Sequence, residues 1–222
     1  MTVWFTADHH FGHARLLELS AARGAAFPSV AEMNARLVQN WNSVVQPDDT
    51  VWVLGDFDMH GKNTTLGLVS RLVGRKILIS GNHDSCWAGV RDGWKTRDVY
   101  LAAGFAAVMD FAVTTLPPLR PQAPATRVLL SHFPYAGDSH DEDRYAQFRL
   151  RDEGTPLLHG HVHESFRERR TKQGTWGINV GVDWWEYRPV SAQTLAQHLE
   201  DLKRGRALAP QPELAGGSAR GL

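Results

Sequence analysis

The 222 residues suit one globular domain with its own core rather than two small ones, and the 42% hydrophobic and 22% charged content is ordinary for a soluble protein. With 24 basic and 24 acidic side chains the formal net charge is zero, which argues against holding nucleic acid mainly by phosphate neutralisation, although a local basic patch stays open. Cys86 is the single cysteine, so no intrachain disulfide forms, and no run approaches the roughly eighteen apolar residues of a membrane span.

The N-terminal MTVWFTADHHFGH has no basic stretch ahead of an apolar one, so a cytoplasmic location is the expectation. TVWFTADHH reads as a buried strand ending at Asp8 to His10. SVAEMNARLVQNWNSVV then reads as a helix: Ser29 and Glu32 are spaced as a capping box, and Met33, Leu37, Trp41 and Val44 recur at helical spacing. DTVWVLGDF is a second strand, ending at Gly55-Asp56, and TTLGLVSRLVG a helix with Gly74 just past its end. RKILISGNHD ends at Gly81 to Asp84. Residues 105–116, FAAVMDFAVTTL, supply another strand, and LPPLRPQAPA (116–125) a surface loop. RVLLSHFP ends at His132 and PLLHGHVH at His159 to His163. SFRERRTKQGTWGINVG predicts two strands around a turn near Gly174. VSAQTLAQHLEDLKRG predicts a closing helix with Ser191 as N-cap and Leu195, Leu199 and Leu202 on one face. Residues 1–204 thus read as one domain, and 205–222 as a loose tail rich in Ala, Gly and Pro. Strands alternating with helices imply an α/β layered fold with its site at the carboxyl ends of the strands.

Each strand-like run ends on residues that bind metal or move protons. In a strand, side chains at i and i+2 share a face, so Asp8 and His10 would point to one site with His9 turned away, and His161 and His163 would do the same. With Asp56, Asn82 and His132 they make seven nitrogen and oxygen donors. One divalent ion rarely takes seven such ligands, whereas two ions sharing a carboxylate use them naturally. Asp56, mid-chain on what reads as a central strand, is the bridge candidate. Gly55, Gly81 and Gly160 each precede a candidate ligand, where a tight turn and close backbone approach are needed.

This ordered set, Asp8-His9-His10, Gly55-Asp56, Gly81-Asn82-His83-Asp84, His132 and Gly160-His161-Val162-His163, resembles that of the calcineurin-like metallophosphoesterases over roughly residues 2–190. The stretches DHHFGH, NWNSVV, VLGDF and NVGVDWWEYRPVS are similar to a small bacterial and phage branch of that family. The resemblance implies a four-layer αββα sandwich of two mixed sheets flanked by helices, with a binuclear metal site at the strand ends. It implies that Asp8, His10, Asp56 and His163 hold one ion, and Asp56, Asn82, His132 and His161 the other. The family's protein serine/threonine phosphatases follow Gly-Asp with Asp-Arg-Gly; here Phe57-Asp58-Met59-His60-Gly61 follows, which puts phosphoprotein phosphatase activity in doubt.

The chemistry expected is in-line attack on phosphorus by a hydroxide activated between two cations about 3.5–4 Å apart. Two divalent transition-metal ions are implied, manganese first, with iron, zinc, cobalt or nickel also compatible with a thiolate-free donor set. His83 is assigned as general acid or phosphate stabiliser, with Asp84 holding its orientation; a further ligand or a structural hydrogen-bonder is the alternative. His13 would reach substrate phosphate or hydrogen-bond near the first loop. His159, at the same strand parity as His161 and His163, would orient a ligand. Asn40 and Asn42 are read as helix-end or loop contacts, Cys86 as a small buried hydrophobe, and the basic run 167–170 as a solvated hairpin face or a contact to a polyphosphate or nucleic-acid backbone. The reading is a phosphodiesterase for a nucleotide-like or other small substrate, with no membrane partner, no stable nucleic-acid binding and the oligomeric state open. The alternatives are a phosphomonoesterase of the same fold, a non-catalytic metal-binding or interaction module, and a nuclease subunit.

Overall fold

Short runs rich in Val, Ile, Leu and Trp pair into two sheets in the computed structural model, which describes residues 1–59 and 63–206. In chain order the strands are β1 (Val3–Thr6), β2 (Thr50–Val53), β3 (Arg75–Ile79), β4 (Phe105–Met109), β5 (Phe111–Leu116), β6 (Thr126–Ser131), β7 (Leu157–His159), β8 (Glu168–Arg170), β9 (Trp176–Asn179) and β10 (Val190–Ser191). The first sheet has the order β10-β1-β2-β3-β4, parallel except for β10, and the second β5-β6-β7-β9-β8, parallel through β6, β7 and β9. Both sheets are therefore mixed, as expected. The segment 105–116 departs from expectation: it breaks at Asp110 into β4 and β5, which belong to different sheets.

The helices are α1 (Leu16–Leu19), α2 (Ala21–Ala26), α3 (Val30–Val44), α4 (Asn63–Leu66), α5 (Arg97–Ala103) and α6 (Ala192–Lys203). Ser29 caps α3 by accepting from the Glu32 amide at 3.2 Å, and Ser191 caps α6 through Thr194 at 3.0 Å. The helix expected to close on Gly74 is instead split, α4 giving way to a 3-10 turn over Gly67–Arg71 that ends at Leu72. Gly67 interrupts the apolar helical pattern at that joint. Of the expected tail 205–222, residues 207 onward lie outside the described residues.

Two apolar clusters hold the layers. Met33, Leu37 and Trp41 of α3 pack with Val51, Val53, Leu78 and Phe105 of the first sheet. Phe5 and Ile79 of that sheet meet Leu130, Leu158 and Ile178 of the second, joined by Leu195 and Leu199 of α6. Burying each such side chain contributes about 1.5–3 kcal/mol, so the two sheets are held in one arrangement and their strand ends are brought to a common edge. Among the described residues, no helix is long and apolar enough to cross a membrane.

Candidate metal centre

Five parallel strands, β1, β2, β3, β6 and β7, deliver all seven predicted donors to that edge. Two groups form. Asp8, His10 and His163 place donor atoms within 4.8 Å of one another, as do Asp56, His132 and His161. Asp56 spans the groups: its Oδ2 lies 3.6 Å from His10 Nε2 and 3.4 Å from His132 Nε2. Asn82 joins the second group, its Oδ1 3.1 Å from His132 Nε2. Asp8 also crosses between them, both oxygens accepting from the His161 amide at 3.1 Å.

The geometry that achieves this is not the strand alternation expected from the sequence. β1 ends at Thr6 and β7 at His159, and the donors follow in left-handed backbone: φ is 58° at Asp8, 50° at His10, 52° at Asp56, 74° at His161 and 44° at His163. Each such non-glycine residue costs on the order of 1 kcal/mol or more, a strain that persists only where surrounding contacts over-determine it. Here ladder bonds continue past the strands: Asp8 N donates to Gly55 O and His10 N to Asp56 O, each at 3.0 Å. Glycine provides the space. A Cβ on Gly81 would lie 2.3 Å from Asp56 Oδ1, and one on Gly160 2.7 Å from Asp8 Oδ2.

Burial sets the electrostatics. Asp8 is pushed up to about 6 by desolvation, against the pull of His163 and His132. Desolvation also opposes ionisation of Asp56, but His132 and His10 beside it win and hold its carboxyl well below the usual range. His132 is raised to about 9: burial disfavours its charge, and Asp56 more than offsets that. Desolvation lowers His161 to about 3 and His10 well below its ordinary value. His10 Nδ1 and Nε2 and His163 Nδ1 are buried without hydrogen-bond partners. Unpaired imidazole nitrogens facing buried carboxylates, with no thiolate, fit divalent transition-metal ions. Because ligation needs neutral imidazole and Asp56 favours the protonated form of His132, loading with Mn²⁺ should release protons. Calorimetry in buffers of different ionisation enthalpy measures it; no proton release would mean that His132 is not a ligand or is already neutral.

Of the other predicted residues, His83 and His13 line the same cleft of about 660 Å³. The His83 ring lies 5.2 Å from that of His10 and 6.4 Å from that of His13, and its amide donates to Asp56 Oδ1 at 2.9 Å. One residue has a role beyond the one expected, and one expectation needs correction. Asp84 organises backbone as well as standing beside His83. Its buried carboxylate accepts from the amides of Asp56, Phe57 and Gly81 at 2.9, 3.0 and 2.8 Å and so pins the β2 and β3 loops together. His159 does not orient a ligand: with β7 ending there, strand parity stops, and its ring faces Phe166 at 5.9 Å, Tyr135 and Arg169, away from the cleft. His9 turns into the core beside Phe11 and Trp41 as expected. Asn42 exchanges bonds with Arg71 O and Val73 N, Asn40 donates to Glu186 O, and Cys86 is fully buried. Arg169 of the basic run lies over the Phe166 ring and Arg167 pairs with Glu168.

Sequence reasoning missed three supports. Arg23 of α2, fully buried, donates to Asp8 O at 2.6 Å and His9 O at 3.1 Å, and forms a two-pronged pair with Asp183 at 2.7 and 2.8 Å. Asp183 in turn lies 3.7 Å from His163 Nδ1. Asp138 accepts from His161 Nε2 at 3.1 Å. No short-range pattern marks these residues, since their partners are remote in the chain. Asp58, in place of an Asp-Arg pair, accepts from the Tyr100 hydroxyl at 2.8 Å.

Residues 1–198 match the family described as the calcineurin-like phosphoesterase superfamily domain. The chain is 43% identical over 188 residues to the Gene 66 protein of Mycobacterium phage L5, covering 82% of this chain and 86% of that one. It is 34% identical over 210 residues to the uncharacterised protein MJ1445 of Methanocaldococcus jannaschii, covering 93% and 96%. The solved structure of AQ665 from Aquifex aeolicus, a protein of unknown function, superposes with a TM-score of 0.59 at 27% identity, covering 90% of this chain and 98% of that one.

Proposed function

The chain belongs to the calcineurin-like phosphoesterase superfamily, a hydrolase family that works with divalent metal, and from that premise we propose that it is a phosphodiesterase for a small, nucleotide-like substrate, with manganese as the working ion. The observation that carries the diester preference is His83, which lines the cleft beside the donor set without belonging to either three-residue group. Asp8, His10, Asp56 and His163 would hold one ion, and Asp56, Asn82, His132 and His161 the other. When bound, the ions would supply an activated water and neutralise charge on the phosphoryl oxygens. His83 delivers a proton to the departing ester oxygen, a step that matters most when that oxygen is a poorly leaving alkoxide. The Asp56 carboxylate fixes the loop from which His83 projects, through the His83 amide. His13 borders the same space and would contact a non-bridging phosphoryl oxygen.

The first test is turnover of bis-p-nitrophenyl phosphate beside p-nitrophenyl phosphate, on metal-stripped protein with Mn²⁺ restored. Restored turnover favouring the diester is expected; a monoester preference would make the protein a phosphatase instead. Neither substrate turned over, with two metals bound, would revive a binding module. For His83→Ala, turnover of an alkyl diester such as 2′,3′-cyclic AMP should fall by about 10²-fold or more. Turnover of bis-p-nitrophenyl phosphate should fall far less, because nitrophenolate departs without a proton. Equal losses on both substrates, with metal content intact, would remove the acid role.

A further inference from the structure

Part of the cleft lining comes from the loop between β6 and β7, which contributes Ser139, His140 and Arg144. That loop is organised around Asp138, whose side chain has no solvent exposure. Its carboxylate accepts from Arg144 Nη2 at 2.8 Å and Nε at 3.4 Å, from the His140 amide at 3.2 Å and from His161 Nε2 at 3.1 Å. Arg149, almost buried, reinforces the same turn: it pairs with Asp143 at 2.6 Å and donates to Arg144 O at 2.7 Å. One residue thus ties a candidate metal ligand to an arginine on the cleft wall.

Arg144 is held by one edge. Asp138 engages Nε and Nη2, while Nη1 makes no hydrogen bond among the described residues, and the side chain remains 35% exposed. A guanidinium fixed in this way, and lying 5.5 Å from the Tyr145 ring centre, loses little rotamer freedom on binding, and its remaining Nη1 edge suits a phosphate oxygen. It shares the Asp138 carboxylate with His161 and lines the same cleft as Asp56. A phosphoryl group reacting over the two donor groups would be served by the ions those groups hold, by His83 and by His13. The group within reach of Arg144 is therefore the next one along.

We propose that Arg144 binds a second phosphate of the substrate, adjacent to the phosphoryl group that reacts, and so selects substrates carrying two phosphates. This rests on the phosphoesterase reading above. The two phosphates could be directly linked, as in a diphosphate, or flank a sugar, as in a nucleoside bisphosphate, and the shared chemistry is the second dianion.

The test is calorimetric titration of the Mn²⁺-loaded protein with inorganic phosphate, methylenediphosphonate and thymidine 3′,5′-bisphosphate, with metal content checked afterwards. At least one two-phosphate probe should bind about tenfold or more tightly than phosphate, the worth of one charge-assisted hydrogen bond pair. Arg144→Gln should erase that advantage while changing phosphate affinity by less than about threefold. Arg144→Lys should keep only part of it, because an ammonium cannot both grip Asp138 and reach the ligand. Preference for the diphosphonate would indicate linked phosphates, and preference for the bisphosphate a nucleotide. Wild-type protein that binds all three probes alike would overturn the proposal. So would equal losses for every probe in Arg144→Gln, which would place the arginine on the reacting phosphoryl. Binding is read without turnover, so failure here is separable from failure of the phosphodiesterase reading, which bis-p-nitrophenyl phosphate turnover on the same samples reports.

Discussion

Asp56→Asn should remove at least one of two bound metal ions and lower kcat/KM on the order of 10³-fold, beyond the 10–100-fold typical of residues that only support a ligand. The reason is position. Asp56 Oδ2 is the atom that lies between His10 and His132, at 3.6 and 3.4 Å, so one carboxylate oxygen faces ring nitrogens of both groups. Its other oxygen fixes the His83 amide, so the substitution also loosens the loop of the proposed acid. An amide oxygen can still accept that bond, and the fold should survive. Metal analysis and steady-state kinetics on the same preparation check the expectation. Two ions per protein with activity within tenfold of wild type would show that Asp56 is not shared.

Arg23→Met should be the most destabilising single change near the site, by about 3–5 kcal/mol, because it leaves Asp183 charged and buried without its partner. That is a large part of the 5–15 kcal/mol by which domains are typically stable. Arg23 also satisfies the carbonyls of Asp8 and His9, where the backbone is left-handed at Asp8, so its loss undoes the contacts that hold that strain. The double variant Arg23→Met/Asp183→Asn should recover part of the loss, since no bare carboxylate then remains. The effect has a pH signature. Burial works against ionisation of Asp183, but Arg23 overrides it and lowers its pKa below the ordinary 3.8. The stabilisation is therefore fully present above that value and is lost as pH falls through the lowered one, so the gap between wild type and Arg23→Met should close on acidification. Denaturant unfolding of metal-free protein at neutral and acid pH measures this. A gap independent of pH would mean that the pair contributes through shape, not charge.

The contrast between these two residues separates what was legible from what was not. Asp56 announces itself: it follows Gly55 at the end of the apolar run DTVWVLGDF, and four similar runs end on the other donors. Burial of parallel strands produces those runs, and sites gather at their ends, so the strands, the donor inventory and the expectation of a shared carboxylate follow from local pattern. The caps at Ser29 and Ser191 are read from the sequence for the same reason, being contacts made within three residues.

Arg23 lies in the short helix AARGAA, where nothing nearby distinguishes it from a surface arginine; its partner Asp183 is 160 positions away. Asp138 and His161 are 23 apart and meet only because the loop between β6 and β7 folds back. His159 departs from the parity expectation because β7 ends there and alternation no longer governs direction. The sequence by itself determined which chemistry-bearing residues the chain carries, their order and the strand ends that present them. Only the tertiary structure decided how those residues face one another. The left-handed turns that aim the donors are locally unfavourable, and only distant buried partners, chiefly Arg23 with Asp183 and Asp84 with three loop amides, make them stable.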